Sequence, residues 1–68
     1  MENKQRICNS LLATLILTRE YEDLVRLEYE KEGYDETVIA YYGNGGTRVI
    51  NVSMDSGSAM IKDILENL

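Results

Sequence analysis

The chain has 68 residues, a formal net charge of −5, one cysteine, no histidine and no proline. So short a chain holds a single domain, residues 1–68, and buries only about 60% of the surface its unfolded state exposes, which leaves its stability marginal. The lone Cys8 excludes an internal disulfide, and the lack of histidine excludes Ser-His or Cys-His nucleophiles and a usual zinc site. Small domains that lack both staples lean on a partner copy, so a homo-oligomer is expected, with no metal and no cofactor.

Residues 4–18, KQRICNSLLATLILT, repeat apolar doublets four apart (Ile7/Cys8, Leu11/Leu12, Leu15/Ile16), with Arg6, Ser10 and Thr14 on the opposite stripe. That period predicts an amphipathic helix. A strand over LLATLILT is the competing reading, with β-branched support and poorer alternation. Cys8 falls on the apolar face and is predicted buried and inert. The apolar run 11–17 is far short of the roughly 20 residues that span a bilayer, so no membrane association is expected. No small-residue cleavage site follows it before Arg19 and Glu20, which argues against a signal peptide. A single unpaired thiol suits a reducing compartment, and the expected location is cytoplasmic.

Residues 24–30, LVRLEYE, alternate strictly: Val25, Leu27 and Tyr29 point one way, Arg26, Glu28 and Glu30 the other. This predicts a half-buried strand with one charged face. KEGYDE, residues 31–36, reads as the following turn, with Gly33 free to take positive φ. TVIAYY, residues 37–42, is apolar on both faces, the mark of a central strand covered on both sides. GNGG, residues 43–46, is a hairpin signal, since Asn-Gly suits positions that need positive φ. TRVINVS, residues 47–53, is the third strand, with Ile50 and Val52 on one face and Arg48 beside them. Tyr29 and one of Tyr41 and Tyr42 are expected in the core, and another of the five tyrosines at a partner contact.

The junction MDSGSAM, residues 54–60, could hold an anion or start a helix. Asp55 or Ser56 can cap the first N–H groups of a helix whose stripe is Met60, Ile61, Ile64, Leu65 and Leu68. A phosphate loop would need more glycine and a terminal lysine with Ser or Thr, and Asp55 would repel the anion. The junction is a cap. The fold class is therefore α+β: helix, three-stranded antiparallel meander, helix (αβββα). A strand at 4–18 would instead give a four-stranded antiparallel sheet followed by a helix (ββββα), the order of small coactivator-type single-strand-binding domains.

Charge is unevenly placed. Residues 20–36 carry eight acids, Glu20, Glu22, Asp23, Glu28, Glu30, Glu32, Asp35 and Glu36, against Arg26 and Lys31. An acidic chain without a basic patch is repelled by nucleic-acid phosphates, so direct nucleic-acid binding is not expected. A protein partner with a basic surface would be attracted to these eight residues, which form the candidate partner-binding surface. The runner-up chemistry is a magnesium site at Glu28 and Glu30 with a third acid from Asp23, Asp35 or Glu36.

The stretch GTRVINVSMDSGSAMIKDIL, residues 46–65, resembles the ends of short accessory proteins of mobile elements in gut Firmicutes, which close on a strand, Asp-Ser-Gly and a Met-containing helix. Some small proteins of such islands are anti-CRISPR inhibitors of type II-A RNA-guided nucleases. One type looks like the coactivator fold, assembles into oligomers and is associated with nicking of supercoiled DNA. The resemblance implies a phage or mobile-element inhibitor of a bacterial defence nuclease and carries over no functional residue. The expected function is thus a small acidic, non-catalytic binding protein. The alternative is a metal-dependent DNA-nicking or DNA-topology-modifying protein, and a toxin–antitoxin accessory role is a third reading.

Overall fold

The computed structural model describes residues 2–68. In chain order it contains helix α1 (Lys4–Leu15), a 3-10 turn (Arg19–Tyr21), strands β1 (Leu24–Glu32), β2 (Asp35–Tyr42) and β3 (Thr47–Asn51), and helix α2 (Gly57–Asn67). The strands form one antiparallel sheet in the order β1-β2-β3. The αβββα reading therefore holds and the four-stranded order does not.

Helix α1 begins at Asn3, whose Oδ1 accepts the Arg6 N–H at 3.0 Å. It stops at Leu15, three residues before the predicted end. The Thr18 hydroxyl and N–H both donate to the Leu15 carbonyl, at 2.7 and 3.0 Å, which turns the chain out of the helix. Ile16 and Leu17 are consequently exposed.

Strand β1 is longer than its alternation predicted and carries a β-bulge between Leu24 and Arg26. The extra residue lets Leu24 and Leu27 both face inward and turns Val25 out, where it is 61% exposed. The predicted Val25/Leu27/Tyr29 face is corrected accordingly to Leu24/Leu27/Tyr29. The turn after β1 is shorter than predicted. Glu32 pairs with Asp35, which leaves only Gly33 and Tyr34 in the loop. Gly33 sits at φ +62°, as the first position of a two-residue hairpin turn of the II′ kind demands. The second hairpin has a three-residue loop. The Gly45 N–H donates to the Tyr42 carbonyl at 3.0 Å and the Tyr42 N–H to the Gly46 carbonyl at 2.9 Å. Gly45 takes φ +89° while Asn44 keeps an ordinary negative φ.

Both helices lie on one face of the sheet, α1 over β1 and α2 over β3 and against α1. The core between the layers is built from Cys8 and Leu15 of α1, Leu27, Val38, Ala40 and Ile50 of the sheet, and Met60 and Ile64 of α2. Tyr29 and Tyr42 pack against it. β2 is central, as predicted, but within this chain its other face, with Ile39 and Tyr41, is left uncovered and both residues are only half-buried.

The Ser56 hydroxyl caps α2 by accepting the Ala59 N–H at 3.2 Å. A second cap comes from the far end of the chain, where Glu2 Oε1 accepts the Gly57 N–H at 2.9 Å. A carboxylate there meets the positive end of the helix dipole. Gly57 is buried, and a Cβ at that position would meet the Glu2 carboxylate first and then Ile7 Cδ1 at 2.8 Å, so glycine leaves room for the Glu2 cap. Asp55 does not cap. Its Oδ2 is buried without a hydrogen-bond partner. The neighbouring Asp63 carboxyl, and then burial, raise its pKa.

Candidate functional site

The uncovered sheet face follows from the register. With Leu27, Tyr29, Val38 and Ala40 turned to the helices, the alternate residues face out. They form three cross-strand rows: Arg26, Tyr41 and Thr47; Glu28, Ile39 and Val49; Glu30, Thr37 and Asn51. Glu32 and Asp35 extend the face at the first hairpin. β1 contributes its charge, β2 its half-buried apolar strip, and β3 the 66% exposed Val49.

Arg26, the one base on this face of β1, is internally engaged. Its guanidinium carbon lies 4.4 Å from the centroid of the Tyr41 ring, and its Nη2 is 2.8 Å from Glu28 Oε2. Cation–π contact and ion pairing together hold Arg26 flat on the sheet. Glu30, Glu32 and Asp35 are exposed, and no salt bridge joins them to a base among the described residues. Glu28, Glu30 and Glu32 follow one another along β1 at roughly 7 Å, two strand residues apart.

Seven of the eight predicted surface acids are at least partly exposed. They fall in two groups rather than one patch. Glu28, Glu30, Glu32 and Asp35 share the open face. Glu20, Glu22 and Asp23 sit at the opposite end of β1, where the Asp23 carbonyl accepts the Gly43 N–H at 2.9 Å.

Glu36 is the exception. It points to the helix side and is only 8% exposed, so it does not belong to the candidate surface. Its Oε1 accepts from Lys4 Nζ at 2.6 Å and from the Tyr29 hydroxyl at 2.5 Å, and its Oε2 accepts the Met54 N–H at 2.9 Å. The Lys4 hydrogen bond foremost, then those from Tyr29 and Met54, hold its pKa down at about 2. The same contact with Glu36 pushes the Tyr29 phenol up to about 12. This network ties α1, β1, β2 and the loop before α2 at one point. The loop pays with strain: Met54 is in the left-handed region at φ +64°, with its side chain 91% exposed.

The magnesium reading needs Glu28, Glu30 and a third acid to converge. Glu36 is committed to Lys4 on the other face of the sheet, and among the described residues no group of three or more His, Cys, Asp or Glu is arranged to hold a metal ion. Cys8 is wholly buried, and burial pushes its thiol up to about 11. Tyr34 is fully out in solvent at the first hairpin.

Gln5 was not singled out by its sequence position, yet it does a strand's work. Its Nε2 donates to the Leu27 carbonyl at 3.0 Å and its Oε1 accepts the Tyr29 N–H at 2.7 Å. The amide thereby fills the outward-facing backbone site of β1 as a neighbouring peptide group would. Lys4, Gln5 and Glu36 carry no local sequence signal, because the contacts that join α1 to the sheet span 22 to 32 residues. Among the described residues no helix is long and apolar enough to cross a membrane. No family model, curated protein or solved structure matches this chain.

Proposed function

We propose that this chain is a small acidic, non-catalytic binding protein of phage or mobile-element origin that acts in the bacterial cytoplasm as an oligomer. It inhibits a nucleic-acid-handling defence nuclease, in the manner of an anti-CRISPR, by occupying a basic surface that otherwise receives the nucleic-acid backbone. The observation that carries this reading is the uncovered sheet face on which Glu28, Glu30, Glu32 and Asp35 stand beside Ile39, Tyr41 and Val49. Carboxylates about 7 Å apart on a strand present a row of negative charge that flexible lysine and arginine side chains can follow. The apolar strip beside them supplies contact area that a nucleic acid does not. Arg26 is paired with Glu28 and offsets that one charge, which leaves Glu30, Glu32 and Asp35 without a salt bridge among the described residues.

The test is DNA cleavage by a type II-A RNA-guided nuclease with the chain added before the guide-loaded enzyme meets DNA. Inhibition is expected to weaken as salt rises, and the double substitution Glu28→Lys, Glu30→Lys is expected to slow association at least tenfold, the scale of electrostatic steering. Inhibition that ignores both salt and the double substitution refutes the acidic face as the binding surface. No inhibition by the native chain refutes this nuclease class as the target.

A further inference from the structure

The two edges of the sheet are treated differently. β1 is guarded three ways: by the bulge at Val25, by acidic side chains along it, and by the Gln5 amide on its Leu27 and Tyr29 backbone groups. β3 has none of these devices. The Val52 N–H bonds to the Glu36 carbonyl and the Tyr42 N–H to the Gly46 carbonyl. In an antiparallel ladder this makes Val38/Ile50 and Ala40/Arg48 the bonded pairs between β2 and β3. The N–H and C=O groups of Thr47, Val49 and Asn51 therefore point away from the sheet. The strand is regular and lacks proline, lysine and acid. Arg48, its one charged residue, lies on the helix side and donates to the Asn67 carbonyl at 3.3 Å.

We propose that β3 is the self-association edge, pairing antiparallel with β3 of a second copy about a two-fold axis through Val49 to continue the sheet from three strands to six. The inference rests on the proposed self-association and names the surface that performs it. Strand addition needs an edge whose groups face an identical edge in register, and β3 supplies it. With Val49 opposite Val49, Thr47 faces Asn51 on either side, and each of the outward residues both donates and accepts. Ile39 and Val49 lie in one cross-strand row, so pairing makes that row continuous across the axis on the open face.

Charge selects this edge as well. Pairing through β3 puts the two β1 strands at the outer margins. Glu28 and its counterpart are then five strand spacings apart, about 24 Å, well beyond the ~10 Å screening length in moderate salt. Pairing through β1 would instead bring the two acidic stripes to about 5 Å and would have to displace Gln5. The assembly that results shows a single apolar centre with an acidic band at each margin.

The experiment is sedimentation equilibrium of the full chain over a wide concentration range, with two changes at Val49. Val49→Lys sets two ammonium groups against each other at the axis, on a side chain already exposed in the monomer. A chemically synthesised chain with an N-methyl group on the Val49 amide removes the outward donor alone, and circular dichroism checks that each chain is folded. The expected result is a native dimer whose dissociation constant rises at least tenfold in both altered chains. A native dimer unmoved by both changes overturns the β3 assignment and leaves self-association standing. A native chain that sediments at 7.8 kDa at every concentration overturns self-association itself.

Discussion

Gln5→Ala is the most direct test of how this fold ends its sheet. The substitution removes two hydrogen bonds, at 2.7 and 3.0 Å, that cross from the first turn of α1 to the edge of β1. Each such bond contributes about 1 kcal/mol net, so their loss costs about 2 kcal/mol. Alanine gains a few tenths as the better helix former, which leaves a loss of roughly 1.5 kcal/mol. For a domain of this size that corresponds to a melting temperature lower by roughly 6–12 °C. With a urea m-value of about 1 kcal/mol/M, the midpoint moves down by about 1.5 M. Gln5→Glu separates the two bonds, because a carboxylate still accepts the Tyr29 N–H but repels the Leu27 carbonyl. Its loss should be about as large as that of alanine despite identical shape. Urea denaturation of the three chains, at a concentration where the oligomer state is the same, reads the difference. If both variants stay within about 0.5 kcal/mol of the native chain, below the value of a single bond, the amide is a bystander and β1 is closed by α1 packing alone.

Five further outcomes follow from the core, the loop before α2 and its carboxylates. Leu27→Ala empties the middle of the core and costs about 2–5 kcal/mol, comparable to the roughly 3–5 kcal/mol a core this small supplies, so circular dichroism should show a substantial unfolded fraction. Met54→Gly relieves a left-handed residue whose side chain touches almost nothing, and should stabilise by about 0.5 kcal/mol or more in the same melts. Glu36 has a folded pKa near 2 against an ordinary 4.5, so it contributes stability above pH 4.5 that fades as pH falls through 2, and Glu36→Gln should flatten that limb of the stability profile. Asp55 runs the other way: its raised pKa favours folding at low pH and is a liability at neutral pH, so Asp55→Asn should raise neutral stability. Cys8, wholly buried with its thiol near 11, should react with iodoacetamide only as fast as the chain unfolds.

Element type and order were legible because each segment carries its own period. The doublets at Ile7/Cys8 and Leu11/Leu12 fit a helical period better than the competing strand over LLATLILT, and the alternation around Leu27 fits a strand. What periodicity could not show was the bulge at Val25. One inserted residue reverses the facing of everything before it, and nothing in LVRLEYE marks where the insertion falls. The turn at KEGYDE was overdrawn for a related reason: charged residues read as loop, whereas Lys31, Glu32, Asp35 and Glu36 are all paired in the ladder. Glu36 was the costliest misplacement. In sequence it is one more acid in an acidic run; only the fold, by bringing Lys4 and Tyr29 to it, makes it a buried anchor.

Pairing sets the facing of each acid, and facing separates two roles that composition merges. Beyond the bulge an even-numbered residue of β1 looks outward, and so do the odd-numbered residues of β2. Glu28, Glu30, Glu32 and Asp35 thus fall on the open face while Glu36, one residue on from Asp35, falls inside. A one-residue slip in the β1–β2 register would bury Glu28 and Glu30 beneath α1 and expose Leu27 and Tyr29. The fold resists that slip because Glu36, bonded to Lys4, Tyr29 and the Met54 N–H, can make those contacts in one register alone. The buried acid therefore holds the surface acids in place. Removing its charge should disturb the open face before it unfolds the core, which amide exchange of β1 in Glu36→Gln would detect as faster opening at Glu28 and Glu30 than at Ile50. Uniform exchange across all three strands would show the register to be held by the hydrophobic pattern alone.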